Sequence, residues 1–413
     1  MPKLANDTKC TGCMLCQNIC PHKAISMTQK NGFSYPKINK EKCIECKLCE
    51  RFCPIVGDKK IEIETKTIKA TPYSAKSIDN VLRIQSASGG FLTELARYFF
   101  EKYKSKCFIA GAVIDGVKVH HIVTNRIEDL SAIQGSKYLQ SDIGLTYNTI
   151  FKLLKEDNFV LFTGLPCQAY ALKLYLHNKK YSGSLITCDL ICNGVPSYNL
   201  LEIDIKNNLK DIKRIIAFRD KIDSWSNCLA FSYENKNSQI IRNDGESSFF
   251  LKSFKTNYAL RNSCYKCPYC KINRVTDFTV GDFWGGKLSS EDQKKGVSLV
   301  LCHNENARRI LNNMPTIDYK PIDWKECLPG NPRIFCGKRF IQWIIPRKML
   351  YILLDSNNYK IQEQLLTNNL GTISQKRYYW IILKIWGIII LKIEHNYRNI
   401  ILKKTLKQLR NSQ

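Results

Sequence analysis

Eight cysteines within the first 53 residues constrain this chain more than any other feature. KCTGCMLCQNICP, from Lys9 to Pro21, is matched at an offset of 33 residues by KCIECKLCERFCP, from Lys42 to Pro54. Every cysteine and the closing proline fall in register, so the segment is an internal duplication. The whole chain has 19 cysteines in 413 residues, a share of about 4.6%, too low for a small disulfide scaffold and too high for an ordinary soluble enzyme. Metal binding is the expected reason.

With 44% apolar residues, a chain of this length can build two or three domains around a sizeable core, which excludes intrinsic disorder. The opening MPKLANDTKC is polar and has no apolar stretch, so no secretory signal is expected there. The odd thiol count points to a reducing compartment, and the cytoplasm is the expected location. Lys and Arg outnumber Asp and Glu by 63 to 36, a formal charge of +27, which favours solubility or an acidic partner without specifying a fold. Nucleic-acid binding would rest on that charge alone, since no recognised module accompanies it, and no such partner is expected.

Composition divides the chain into residues 1–60 with the cysteine repeat, a polar linker at 61–76, a central domain at 77–335, a helical extension at 336–375 and a basic tail at 376–413. The central region alternates strand-like runs (CFIAGAVI, FVLFTG, SLITCDLIC, FTVGDFWG) with helical stretches (GFLTELARYFFEKY, YNTIFKLLKE). The predicted fold class is α/β (α+β): a duplicated βαβ-like domain, a mixed α/β domain and a C-terminal helical tail.

The spacing Cys10-x2-Cys13-x2-Cys16-x3-Cys20-Pro21, repeated from Cys43 through Cys46 and Cys49 to Cys53-Pro54, resembles the bacterial two-cluster ferredoxin. The resemblance implies that Cys10, Cys13, Cys16 and Cys53 hold one 4Fe-4S cluster, and Cys43, Cys46, Cys49 and Cys20 a second. Two structural zinc sites are the alternative, but zinc rarely needs two such runs interleaved through Cys-Pro. Residues 1–60 have eleven Lys or Arg against five Asp or Glu. That excess is either a solvated surface or a face for an acidic electron donor such as a soluble ferredoxin.

Four central stretches, QSASGGFLTELARYFF, FTGLPCQAYALK, CDLICNGVPS and RNSCYKCPYCKINRVTDFTVGDFWG, resemble the beta subunit of coenzyme F(420)-reducing hydrogenase and of F(420)-linked dehydrogenases. The resemblance implies FAD beside an iron–sulfur cluster, with electrons passing between a carrier and a deazaflavin-like or other conjugated substrate. In SASGG, Ser86, Ser88, Gly89 and Gly90 precede an amphipathic helix, either as a phosphate site or as an ordinary cap with a glycine turn. In FTGLPCQ, Thr163, Gly164 and Pro166 form a turn that opens a helix at Cys167 and Gln168. There Cys167 is a thiol of depressed pKa, a metal ligand or a packed residue.

Cys264-x2-Cys267-x2-Cys270 repeats the ferredoxin spacing without the fourth cysteine, and a third 4Fe-4S cluster is favoured over zinc with a distant ligand. Cys167 and Cys192 are the candidates to complete it. Cys107, Cys188, Cys228, Cys302, Cys327 and Cys336 show no ligand spacing and are expected as packed thiols. Arg274, Asp277 and Asp282 flank or lie within FTVGDFWG, and Arg219-Asp220-Lys221 precedes Trp225; all are either cofactor contacts or surface ion pairs. None of the six histidines falls in a motif, so catalytic residues stay unassigned.

Together these readings predict an iron–sulfur flavoprotein oxidoreductase that moves electrons from a soluble donor through 4Fe-4S clusters and FAD to an unidentified small-molecule acceptor. The alternative is a non-catalytic electron-transfer subunit docked onto a larger redox complex. Nine Lys or Arg face the single acid Glu394 from Lys376 onward. At about 100° per residue Lys384, Lys392, His395 and Asn399 share one side, opposite Ile382, Ile385, Trp386, Ile389 and Ile393. That tail either packs on the body or lies on the inner leaflet of a membrane.

Overall fold

FVLFTG is apolar on both of its strand faces, which suits a strand covered from both sides. In the computed structural model, which describes residues 1–62, 69–209, 211–221, 224–225, 230–245, 247–367 and 378–411, all six of these residues are buried in a strand. The strands in chain order are β1 (Ile25–Lys30), β2 (Phe33–Ile38), β3 (Thr71–Ser77), β4 (Cys107–Asp115), β5 (Lys118–Thr124), β6 (Phe159–Gly164) and β7 (Ser184–Leu190). There follow β8 (Ile212–Asp220), β9 (Ala230–Asn235), β10 (Ile240–Asn243), β11 (Phe278–Asp282), β12 (Ser298–Cys302) and β13 (Ile317–Pro321). The main sheet has the order β13-β3-β12-β11-β7-β6-β4-β5, β8 to β10 form a smaller antiparallel sheet, and β1 and β2 form a hairpin.

Strands β4, β6, β7 and β11 are mutually parallel, and antiparallel strands flank them on both sides. Their carboxyl ends therefore open on one edge, where parallel sheets bind ligands. The helix Phe91–Tyr103 covers one face, burying Phe91, Leu95, Ala96, Phe99 and Phe100 at helical spacing. The helix Pro166–Leu176 is buried nearly all round, because the sheet lies on one side of it and the N-terminal domain near the other.

The duplication persists in the backbone. Gly12 and Glu45 have φ values of 67° and 56°, and Met14 and Lys47 have 59° and 58°; both pairs are 33 positions apart. A left-handed conformation at non-glycine residues costs roughly 1 kcal/mol each, so the two loops are bent alike by what they enclose. Beyond this the copies differ. Met14 and Leu15 insert into a core with Ile143, Tyr147, Val160 and Phe162, and Tyr147 Oη donates to the Cys13 carbonyl at 2.9 Å. Gln140 Nε2 donates to Thr11 O at 2.9 Å, and Ser263 Oγ to Cys10 O at 3.0 Å.

The expected linker at 61–76 needs correction, since Thr71–Ser77 is an internal strand between β13 and β12. Its sequence, TPYSAKS, hides the alternation because small and polar residues point inward. Ser74 and Ser77 are buried, and the Ser77 hydroxyl donates to Glu94 Oε1 at 2.6 Å, which removes the cost of burying it.

The tail is one helix, Tyr378–Arg410. Ile390, Glu394 and Leu409 are buried against the body, and Glu394 Oε2 accepts from Phe340 N at 2.7 Å. The inward stripe thus runs through Glu394, while Ile385, Trp386, Ile389 and Ile393 are exposed, as are Lys392, His395 and Asn399. The side chains of Ile382 and Lys384 lie outside the described residues. No helix among the described residues is long and apolar enough to cross a membrane.

Candidate functional site

Cys20, Cys43, Cys46 and Cys49 line one small cavity beside His22 and Ile44. Burial pushes the Cys49 thiol up to about 11, and Cys20 adds to the shift. Cys10, Cys13 and Cys16 form a second group. Burial raises all three thiols, Cys13 to about 12, and each is raised further by the charge of Cys53. Thiols packed so closely resist joint ionisation unless a cationic centre takes up their charge. Among the described residues no three His, Cys, Asp or Glu side chains stand at the spacing of a single bound ion.

Deeper in the molecule Cys167, Cys192, Cys264, Cys267 and Cys270 line a third cavity with Arg274 and Arg333. Cys167 comes from the first turn of the helix Pro166–Leu176, Cys192 from the loop after β7, and the other three from the loop that follows the helix Asn262–Tyr265 or from that helix itself. The depressed thiol expected at Cys167 is not found, because burial pushes it well up. Cys270 is lowered, chiefly because Cys267 hydrogen-bonds to it and Arg333 and Arg274 are near. The Tyr269 hydroxyl is buried at this junction without a hydrogen-bond partner among the described residues. Cys107, Cys188, Cys302, Cys327 and Cys336 are buried thiols, and Cys228 lies outside the described residues.

A cavity of about 660 Å³ opens at the carboxyl ends of the parallel strands. Ser86, Ser88, Gly90, Thr163, Gly164, Gln168 and Asp282 line it. Gly90 has φ +88° and caps the helix that begins at Phe91, a conformation glycine adopts without strain. Gln168 Oε1 accepts from Leu165 N at 3.0 Å and stiffens the turn after β6. Asp282 pairs with Arg219 at 2.6 Å and accepts from Trp225 Nε1 at 2.9 Å. Trp284 stacks on Trp225 with ring centroids 4.4 Å apart.

Four expected cofactor residues do not reach this cavity. Gly89 packs across β3 and β12, where a Cβ would stand 2.4 Å from Ala75 O and 2.6 Å from Ser298 N, so glycine is required there by sheet packing. Pro166 faces the thiol cavity instead. Asp277 ties strands together, accepting from Thr187 N at 2.8 Å and Asn304 Nδ2 at 2.9 Å. Arg274 forms a buried ion pair with Asp189 at 2.9 Å, not a surface one.

Other residues in the wall carry no motif. Lys137 donates to the carbonyls of Ile133 and Gln134 at 2.6 and 2.7 Å, and burial pushes its pKa down to about 7. His121 bonds through Nε2 to Thr163 O at 2.9 Å, and burial pushes it down to about 4. Arg219, Arg333 and Arg398 are the fixed cations of the wall, opposed among the described residues by the acid Asp282, while burial pushes the pKa of Lys338 well down. Arg398 comes from the C-terminal helix. Arg219 is the candidate beside Trp225 that the sequence offered, and the turn-like tripeptide Gly135-Ser136-Lys137 is a further signal.

Residues 9–56 match the 4Fe-4S dicluster domain. Residues 157–323 match the family described as the C terminus of the coenzyme F(420) hydrogenase/dehydrogenase beta subunit. Among solved structures, a chain of the xenon-derivatised F(420)-reducing NiFe hydrogenase complex from Methanosarcina barkeri is similar at 18% identity and a TM-score of 0.43, over 76% of this chain and 95% of that one. No curated protein matches. The chain thus joins a segment similar to the 4Fe-4S dicluster domain to a region similar to the C terminus of the coenzyme F(420) hydrogenase/dehydrogenase beta subunit.

Proposed function

We propose that this chain is an iron–sulfur flavoprotein oxidoreductase that takes electrons from an acidic soluble donor such as a ferredoxin and delivers them to a small-molecule acceptor. One observation carries the reading: the interior thiol cavity and the 660 Å³ cavity share a wall, with Leu165, Cys192, Val195 and Arg333 lining both. The volume lies within the roughly 300–1,000 Å³ of cofactor sites. Three guanidinium groups, Arg219, Arg333 and Arg398, against one carboxylate suit a dinucleotide diphosphate. FAD held there supplies the exchange between one-electron and hydride chemistry. Ser86, Ser88 and Gly90 would flank its phosphates, and the Arg219–Asp282 pair with Trp284 would form a fixed polar edge.

Cys10, Cys13, Cys16 and Cys53, and Cys20, Cys43, Cys46 and Cys49, are the proposed ligand sets of the two N-terminal clusters, with Cys264, Cys267, Cys270 and either Cys192 or Cys167 holding a third. Cys46 and Ile44 are exposed among Lys40, Lys42 and Lys47, with Glu41 and Glu45 between them, an open edge from which a donor could approach the outer cluster. Acid extraction of anaerobically purified protein is expected to release about one FAD per chain. Finding none, even after reconstitution with excess FAD, would end the flavin reading.

The exposed face of the C-terminal helix supports reversible attachment to an anionic membrane surface. Ile385, Ile389 and Ile393 form an apolar stripe beside Trp386, and each nearby Lys or Arg contributes about 1 kcal/mol at such a surface. Co-sedimentation with phosphatidylserine vesicles at low and high salt should show salt-sensitive binding that the substitutions Ile389→Glu and Ile393→Glu abolish. Equal sedimentation of both proteins, or of neither, rules this attachment out.

A further inference from the structure

Arg333 lies in the turn Pro332–Ile334 and is only 5% exposed. A guanidinium keeps its charge at any workable pH, and a buried charge must be answered locally. The side chains that line the interior cavity with it include the thiols Cys192, Cys264, Cys267 and Cys270. Its other interactions fasten the same residues. Nε donates to the Cys192 carbonyl at 3.0 Å and Nη2 to the Cys264 carbonyl at 3.2 Å. Nη1 is buried and has no partner among the described residues. It therefore remains available to a group lying between the two cavities that Arg333 lines.

We infer that Arg333 is a positioning residue for the interior iron–sulfur centre, holding Cys192 and Cys264 in register and favouring the reduced state through its unpaired Nη1. The inference rests on the reading of the interior thiols as cluster ligands. One electron added to a thiolate-bound core makes it one unit more negative without a proton, and a fixed cation in a medium of low polarity lowers the energy of that state. Hydrogen bonds to cluster sulfurs act in the same direction.

The test is a dithionite titration of the anaerobic full-length protein followed by electron paramagnetic resonance, with the interior signal identified as the one lost in Cys264→Ser. Arg333→Gln is expected to shift that signal's midpoint to lower potential at unchanged iron content, leaving the N-terminal signals in place, and Arg333→Lys to recover most of the shift. An unchanged midpoint at full iron occupancy in Arg333→Gln would overturn the inference. Loss of the cluster in both variants alike would also overturn it, marking a purely structural role. Wild-type protein with about eight irons instead of about twelve would remove the interior-cluster reading itself, and the inference with it.

Discussion

Anaerobically purified protein is expected to contain at least about eight irons per chain, and Cys16→Ser to remove about four of them. Cys16 stands among Cys10, Cys13 and Cys53, so its loss opens one complete ligand set and spares the other. The damage should spread further. Met14 and Leu15, on the loop that this set pins, are 2% and 0% exposed and plug the core formed by Ile143, Tyr147 and Phe162. Each such side chain contributes about 1.5–3 kcal/mol by burial, so the central sheet should stay folded but melt roughly 5–10 °C lower. Iron quantification and differential scanning calorimetry read the two effects. Iron near four per chain with stoichiometric zinc would defeat the two-cluster assignment, and an unchanged melting temperature would show that the loop does not support the core.

The second large effect lies at Arg274. It reaches Asp189 at 2.9 Å with both side chains almost fully buried, 5% and 2% exposed, and Thr279 Oγ1 donates to the same carboxylate at 2.5 Å. Removing one partner of a buried pair strands the other's charge, at a cost of about 3–5 kcal/mol. Arg274→Ala should therefore lower the denaturant midpoint markedly, and Asp189→Asn combined with it should restore much of the loss, because no charge is left behind. Burial already holds the Asp189 carboxyl above its ordinary range, with Arg274 opposing that shift. Its ionised form is thus the unfavourable one in the fold, so the deficit of Arg274→Ala should shrink as the pH falls and the carboxyl takes up a proton. A double variant as unstable as the single one would contradict this account.

What could be read from the sequence follows from how local each signal is. The cysteine repeat, the buried runs at β4, β6, β7 and β11, and the helix opening at Pro166 are contiguous, and their periodicity or spacing is complete within a few residues, although Thr163 and Gly164 end β6 instead of forming the expected turn. Thr71–Ser77 was illegible as a strand because its inward side chains are serines and an alanine, made acceptable by a partner, Glu94, that sequence cannot place. Arg274 and Asp277 drew attention as charges beside a strand, yet the fold uses both to tie elements together. Lys137, Arg333 and Arg398 come from three separate segments and share a wall only after folding. Cys167 and Cys192 could be nominated together because both sit on the motifs that carry the resemblance, and the fold brings both to one cavity.

The paired left-handed residues show two copies that are still alike in backbone but have been put to opposite uses. The first copy turns Met14 and Leu15 into the body, whereas the second presents Lys47 to solvent and leaves Cys46 exposed. The duplication has thereby lost its interchangeability: one copy has become a foundation and the other an exposed edge. Apart from its cysteines the outer loop should tolerate substitution, while the inner loop must keep the shape of the surface beneath it. A ferredoxin module transplanted from elsewhere would lack that underside, so in this architecture the N-terminal domain is not an exchangeable cassette.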